Sequence, residues 1–387
     1  MDRYKQNIKW LTYLSPFRTL SISAAYLTPF FLQYGLSLSQ VFLLQSIFSV
    51  AFLLWEIPSG LIADRFGRAF SIKLSTPFAV VSMVAYGFST QFWQFVVWEL
   101  VLALANGLIS GIDTALLLDS LKAEGREHEF VRVSQRINAF GYAATALGVP
   151  IAILLVHFVN LSSTLVADGL LTGVGAIFAF KLAEVPRSNG GQEAVRLSAW
   201  HAMKQLGSNV EARWLVLLGA VLSTSTYLAF WLSAPYYTHL GIPAVWFSVI
   251  LAVRSLWKAW LSHRFDQKQH VGRNMIAYAS LAGLVYLGMA TDQLWLVWVV
   301  LGHDAVQALQ AQPITAQLNR HMSHEYRATM NSLVNLVQRL IYSLVGPLLG
   351  LFVDKTSLSA GFAVAGVMCS TAAFVALARL HRFKTFQ

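Results

Sequence analysis

Charged residues are scarce in this chain. Asp, Glu, Lys and Arg together make up 12% of its 387 residues, whereas 56% are hydrophobic and the mean hydropathy is +0.56. A soluble domain of this size carries roughly 25% charged residues. The composition therefore excludes an ordinary soluble globular protein and indicates that most of the chain lies within a membrane.

Cysteine is nearly absent as well, since Cys369 is the only one. No disulfide can form within the chain and no Cys/His metal motif is present, so we expect neither a metal nor another cofactor. The formal net charge is +10, but the basic residues are scattered between apolar runs, which argues against nucleic-acid binding. The N-terminal residues lack a small-residue cleavage site, so we expect the first apolar run to be retained.

Long apolar runs are abundant. A bilayer core about 30 Å thick needs roughly 20 apolar residues per helix, and a helix satisfies its own backbone groups in lipid. The sequence therefore predicts an all-α membrane protein with twelve transmembrane helices. The predicted spans are 11–34, 39–63, 70–90, 94–119, 134–158, 161–183, 213–237, 244–263, 274–291, 294–316, 328–353 and 357–380.

Basic residues lie in alternate loops, and Lys355 is the only lysine or arginine in the opposite set. The positive-inside rule then places both termini and the basic loops in the cytoplasm, for a protein of the cell (inner) membrane. We expect a single chain to function as a monomer in the lipid bilayer.

The longest polar segment divides the chain into two predicted six-helix bundles, 1–183 and 213–387. The linker, 184–212, is predicted either to contain an amphipathic helix, because Val195, Ala199, Ala202 and Leu206 share one face, or to be a plain tether. A shift of 197 positions places Asn106 on His303 and Pro150 on Pro347. Such matches favour two repeated bundles around a central site.

The loop after the second span reads Gly60-Leu61-Ile62-Ala63-Asp64-Arg65-Phe66-Gly67-Arg68. This loop resembles the signature loop of the major facilitator superfamily of secondary transporters: Gly, three residues, Asp, Arg, any residue, Gly, Arg. Together with span number and the half-repeat, the resemblance covers the whole chain. It implies a fold of two six-helix bundles that transports a small-molecule substrate by alternating access.

The resemblance also implies that this loop is a latch that holds the cytoplasmic side shut. We expect Gly60 to allow close helix approach, Asp64 to cap a helix N-terminus, and Arg68 to pair with Asp119 at the end of span four. The alternative is simple anchoring of a basic loop. The predicted latch comprises Gly60, Asp64, Arg65, Gly67, Arg68 and Asp119.

Polar side chains recur in spans four and ten. Glu99, Asn106 and Asp113 are seven residues apart, and His303, Gln310 and Gln317 repeat this spacing, with Gln307 beside them. The stripes are expected to line a shared aqueous path, or alternatively to join helices by hydrogen bonds. Glu99 is expected near the outer surface and solvated.

Arg254 and Arg339 are predicted to lie near mid-bilayer. Either they recognise an anionic or zwitterionic solute, or they pair internally with Asp304, Asp113 or Glu56. The predicted substrate-binding residues are Arg254, Arg339, Asp113, Asn106, His303, Gln307, Gln310 and Trp231, the last by stacking unless it only packs.

Protons are the expected driving partner. Asp113 is the first candidate proton carrier, followed by His303 and Asp304, with Glu56 as a further candidate that belongs either here or to the latch. We expect a secondary transporter of an anionic or zwitterionic metabolite or chelate, with proton-driven efflux of drugs or metabolites as the alternative. Scattered histidines without ligand spacing argue against an enzyme, and a missing Walker motif argues against direct use of ATP.

Overall fold

The computed structural model describes residues 3–186, 206–207, 209–264, 271–320, 327–383 and 385, and these are helical with no strand among them. The α-helices are α1 (Asn7–Thr19), α2 (Leu27–Gln33), α3 (Leu38–Phe66), α4 (Arg68–Gly87), α5 (Phe92–Gly107), α6 (Ile112–Ala123), α7 (Phe130–Phe158), α8 (Ser162–Ala179), α9 (Val210–His239), α10 (Phe247–Arg264), α11 (Val271–Met289), α12 (Leu301–Leu309), α13 (Ala311–Arg320), α14 (Arg327–Lys355) and α15 (Leu358–Arg382). The predicted amphipathic helix lies almost entirely in 187–205, outside the described residues.

Three predicted spans are interrupted. The first divides into α1 and α2 around a non-helical stretch, 20–26, and the fourth divides into α5 and α6, where Gly111 has φ of 71°. The tenth begins as a 3₁₀ helix, Leu294–Val300, and continues as α12 and α13. Within the described residues, eight helical segments are long and apolar enough to cross a membrane. The count of twelve stays a prediction.

Contacts divide the chain into two compact units. Unit 1 comprises Met1–Leu36, Ile47–Asn189 and Ala244–Val249, and unit 2 comprises Ser37–Ser46, Gly190–Pro243 and Ile250–Gln387. The predicted bundle boundaries, 1–183 and 213–387, remain a prediction.

In unit 1, α4 packs against α8 and α5, and α1 packs against α7 and α8. Small residues permit the α4–α8 approach, because a Cβ at Gly169 would meet the backbone of Val84. An aromatic cluster joins α2 to α4 and α5, with ring centroids 5.2–6.5 Å apart. The aromatic cluster comprises Phe30, Phe31, Tyr34, Tyr86 and Phe95.

In unit 2, α9 is the central helix, and 78% of its apolar 18-residue stretch is buried inside the protein. It packs against α11 to α15, and its apolar residues Leu215, Leu218 and Leu222 are fully buried. The α11–α15 contact is close because Gly283 faces Ser370 and the backbone of Gly366. These apolar contacts fix the helices that hold the charged residues described next.

Candidate functional site

The signature loop is a one-residue connection between α3 and α4. Gly67 alone separates the two helices and has φ of 106°, a conformation that glycine adopts readily. Arg68 opens α4, and its Nη1 lies 2.7 Å from Asp119 Oδ2 and 2.6 Å from the Ala115 carbonyl oxygen. The predicted Arg68–Asp119 pair is therefore present, while its role as a latch stays a prediction.

Glu184 caps the helix that follows the loop, and the cap of a neighbouring helix expected from Asp64 stays a prediction. Its carboxylate accepts hydrogen bonds from the backbone N–H groups of Arg68 and Ala69, each at 2.9 Å. Asp64 and Arg65 are exposed. Among the described residues, a Cβ at Gly60 would meet no atom within 4 Å, so no close helix approach is seen there. Gly67 is the glycine of the loop that lies against a neighbour.

A polar cavity of about 150 Å³ opens beside α1 and α6 in unit 1. Arg18 Nη1 donates to Asp113 Oδ2 at 2.9 Å, and the two side chains remain 32% and 35% exposed. Asp113 lies in the first turn of α6, where the helix dipole favours a carboxylate. The cavity is lined by Leu11, Leu14, Ser15, Arg18, Thr19, Asp113, Thr114, Leu117, Ser134, Ile137 and Asn138.

Arg254 is paired internally. Its Nε and Nη2 donate to the two oxygens of Asp304 at 2.7 and 3.2 Å, and Nη1 donates to Ser233 Oγ at 2.9 Å and to the Tyr237 hydroxyl at 3.3 Å. The Arg254 and Asp304 side chains are 6% and 2% exposed. Lys258 adds a second cation, with Nζ 3.9 Å from Asp304. Of the two alternatives for Arg254, the structure contains the internal pair.

The predicted stripe of span four is not continuous. Glu99, expected to be solvated, is 3% exposed and accepts a 2.8 Å hydrogen bond from the Tyr86 hydroxyl. Asn106 is exposed and donates to the Leu102 carbonyl of its own helix. Because α5 ends at Gly107, the seven-residue spacing no longer places Asp113 on the same helical face.

Most of the stripe of span ten is buried inside unit 2. His303 is 1% exposed and packs edge-on against the Tyr286 ring, with 4.4 Å between centroids. Gln310 is 4% exposed and donates to Ser223 Oγ at 2.9 Å, and Gln317 is buried too. Only Gln307 is exposed, and it accepts from Lys258. Gln310 thus joins α9 to span ten, as in the hydrogen-bonding alternative.

The other predicted site residues lie in mixed surroundings. Trp231 is 5% exposed among the Tyr227 and Phe230 rings, so it packs inside unit 2. Arg339 is half-buried on α14, and Glu56 is exposed on α3. The described residues contain no group of three or more His, Cys, Asp or Glu side chains able to hold a metal.

Asp168, which the sequence analysis did not identify, is a buried carboxylate on α8. It is 5% exposed and accepts hydrogen bonds from residues of the interrupted stretch between α1 and α2. The available signal was an acidic residue in the middle of an apolar run, the criterion that selected the other intramembrane charges.

Comparisons with known proteins agree with this architecture. The family model described as Major Facilitator Superfamily matches residues 11–345. An uncharacterized MFS-type transporter, YxaM of Bacillus subtilis (strain 168), is 23% identical over 344 residues, which cover 85% of this chain and 84% of that protein.

Among solved structures, a mutant of the nucleoside transporter NupG superposes with a TM-score of 0.79 at 13% identity, covering 99% of this chain and 100% of that one. A D-xylose–proton symporter superposes with a TM-score of 0.66 at 12% identity, covering 97% and 95%. The chain therefore belongs to the major facilitator superfamily, and it is an all-helical, membrane-spanning secondary transporter and not an enzyme.

Proposed function

We propose that this transporter carries a small or medium zwitterionic or anionic organic solute, driven by protons, with the cavity at Arg18 and Asp113 as part of its binding site. In this proposal the protein lies in the cell (inner) membrane with both termini in the cytoplasm. Access alternates as the two halves, 1–183 and 213–387, move against each other. The observation that supports the proposal most is the partly exposed ion pair in a polar cavity.

A partly exposed ion pair can exchange partners with a ligand. Arg18 and Asp113 are each about one-third exposed, and each is the other's only ionic partner in the described part of the chain. A solute carboxylate that replaces Asp113 on the guanidinium, while the solute ammonium contacts Asp113, leaves no charge unpaired. A neutral solute offers no such exchange, so the site favours a zwitterion.

Arg254 is less suited to this role. Its guanidinium is already bonded to Asp304, Ser233 and Tyr237, and both charged side chains are almost fully buried. A ligand would have to break a bidentate pair and leave Asp304 without its bidentate partner, at a cost of several kcal/mol. The burial difference between the two pairs is the reason for preferring the cavity in unit 1.

The groups around the pair suit a polar organic solute. Hydroxyl and amide side chains line the cavity beside the two charges, together with a small apolar part. A cavity on the order of 150 Å³ is large enough to admit a molecule the size of benzene. The fold alone does not identify the solute, because one transporter fold serves unrelated substrates. The polar groups are Ser15, Thr19, Thr114, Ser134 and Asn138.

Counterflow in proteoliposomes tests this proposal. Vesicles loaded with one unlabelled compound are mixed with its labelled form, using amino acids and dipeptides, organic acids, sugars, nucleosides and lipophilic cations in turn, with and without an inward pH gradient. A zwitterion or organic acid should exchange, and an imposed pH gradient should drive its net accumulation. Exchange of lipophilic cations alone would favour the efflux alternative and contradict the proposal.

Two variants and two matched controls assign the site. Arg18→Gln and Asp113→Asn should each raise the half-saturation concentration for exchange at least tenfold, because one charge of the ligand loses its partner. Arg213→Gln and Asp292→Asn make the same chemical changes at exposed positions outside the cavity and should leave exchange unchanged. Equal effects in all four variants would refute the assignment.

A further inference from the structure

Asp168 is the only ionisable residue of α8, an 18-residue helix with the length and hydropathy of a membrane span. The carboxylate is 5% exposed. An ionisable group in this setting is costly and needs hydrogen-bond partners or a function.

In the described part of the chain, the partners of the Asp168 carboxylate all come from the stretch 20–26, where the first span is not helical. Oδ1 accepts from the backbone N–H of Ile22 at 2.7 Å, and Oδ2 accepts from the backbone N–H of Ser23 at 2.9 Å. The hydroxyls of Ser23 and Ser21 donate to Oδ2 at 2.6 and 3.3 Å. The carboxylate thus satisfies backbone donors that no helix satisfies, which lets the interruption exist inside a membrane span.

A proton on Asp168 would disrupt this set of contacts. The ionised carboxylate only accepts hydrogen bonds, and both of its oxygens do so here. A protonated carboxyl must donate its own O–H. The backbone N–H groups of Ile22 and Ser23 cannot accept it, and a serine hydroxyl that accepts it no longer donates to Asp168. Proton binding and the hydrogen bonds to the interrupted stretch therefore compete, so each weakens the other by the same factor.

Among the described residues, no counter-charge is paired with Asp168. Helix α8 packs against α1, α4 and α7, and none of the ionisable side chains described on these helices forms an ion pair or hydrogen bond with the carboxylate. The Tyr34 hydroxyl, at the end of α2, contacts Ser162 instead. The side chains on the packed helices are Lys9, Tyr13, Arg18, Arg68, Lys73, Tyr86, Arg132, Arg136 and His157.

The interrupted stretch also adjoins the cavity of unit 1. Helix α1 ends at Thr19, and both Arg18 and Thr19 line the cavity, three and two residues before Ser21, the first residue bonded to Asp168. Release of residues 21–23 would therefore remove one constraint on the end of α1 that positions Arg18 against Asp113.

We propose that Asp168 is a proton-binding site of the transport cycle: deprotonated, it holds the interruption of the first span in place, and protonated, it releases that stretch and the adjoining end of α1. Its use in transport rests on the proton-driven function proposed above. The binding site itself is a property of the protein without substrate, so it can be tested separately.

Hydrogen–deuterium exchange of the purified full-length protein, measured by mass spectrometry between pD 4.5 and 8.5, tests the proposal. After correction for the intrinsic pH dependence of exchange, protection of peptides covering 20–26 in the wild type should fall at least about tenfold on acidification, along a one-proton curve. Asp168→Asn, which cannot ionise, should show low protection throughout and no such curve.

Two further variants serve as a control and as a second test of the proposal. Glu99→Gln neutralises another buried carboxylate of unit 1 and should keep the wild-type curve. Ser23→Ala removes one donor without removing the charge, so it should shift the curve to higher pD, and it serves if Asp168→Asn fails to fold. Protection of 20–26 that is independent of pD in the wild type, or a curve that survives Asp168→Asn, would overturn the proposal. Failure of every substrate in counterflow would affect only the proposed function.

Discussion

A substitution of Gly67 by alanine tests how the signature loop is built. Gly67 has φ of 106° and ψ of 156°, and it immediately precedes α4. The new Cβ would overlap the carboxylate of Glu184, which accepts from the backbone N–H groups of Arg68 and Ala69. Gly67→Ala therefore strains the backbone and displaces the cap of α4 at the same time.

The two effects can be given magnitudes. An L-residue in this backbone conformation costs about 1–3 kcal/mol. Loss of a helix N-cap costs about 1 kcal/mol, and because Glu184 is exposed the charge adds little beyond this value. The free energy of unfolding should fall by about 2–4 kcal/mol in Gly67→Ala and by about 1 kcal/mol in Glu184→Ala.

Unfolding by sodium dodecyl sulfate in dodecyl maltoside micelles measures these changes. The four members of the cycle are the wild type, Gly67→Ala, Glu184→Ala and the double variant. The cap is already missing in Glu184→Ala, so Gly67→Ala adds only backbone strain in that background. Its effect on the free energy of unfolding should therefore be about 1 kcal/mol smaller than in the wild type.

A control separates strain from the overlap with Glu184. Gly125 also has positive φ, 71°, but no atom lies within 4 Å of its Cβ position. Gly125→Ala should cost about 1–2 kcal/mol, from backbone strain alone. If Gly67→Ala is no worse than Gly125→Ala, or costs the same with and without Glu184, the capping role assigned to Glu184 is refuted.

Further predictions use the same unfolding measurement. Arg254→Gln should lower the free energy of unfolding by about 3–5 kcal/mol, because Asp304 stays buried without its bidentate partner. Adding Asp304→Asn should recover part of this loss, and a double variant less stable than Arg254→Gln would contradict this account. Arg68→Gln should cost at most about 1 kcal/mol, since the Arg68–Asp119 pair is about one-quarter exposed, with Arg68→Lys intermediate. Gly283→Leu should prevent α11 from packing against α15, and size-exclusion chromatography should then show aggregation in place of a single peak.

The parts of this protein that local sequence determines could be predicted well. Apolar runs of about 20 residues predict helices because backbone groups in lipid have no other donors or acceptors. The signature loop predicted the Arg68–Asp119 contact, since Arg68 ends the loop and Asp119 ends the predicted fourth span. Family membership followed from the same loop.

The interruptions could not be predicted from hydropathy. The seven-residue spacing of Glu99, Asn106 and Asp113 predicts a common face only if the helix is continuous, and the break near Gly111 separates Asp113 from the other two. Glu99 is buried because the Tyr86 hydroxyl of α4 lies against it. This contact depends on how α4 packs against α5, which the position of Glu99 along α5 does not reveal.

Long-range partners explain the remaining differences. Glu184 reaches the start of α4 from 116 positions away, and Asp168 reaches Ile22 from 146 positions away. Arg254 was predicted in part. Asp304 was among the partners expected from the sequence, but only the three-dimensional packing shows that Arg254 pairs with it and is not left free for a solute.

The aromatic cluster has a mechanical consequence for the first span. Rings of α2 pack against Tyr86 of α4 and Phe95 of α5. A rotation of α2 would therefore have to move α4 and α5 with it. If the first span bends, the change in backbone angles must then occur in the few residues between α1 and α2. The aromatic cluster keeps α2 fixed while α1 moves. Spin labels on α2 and α5 should keep one separation throughout the cycle, while a label on α1 should report the swing.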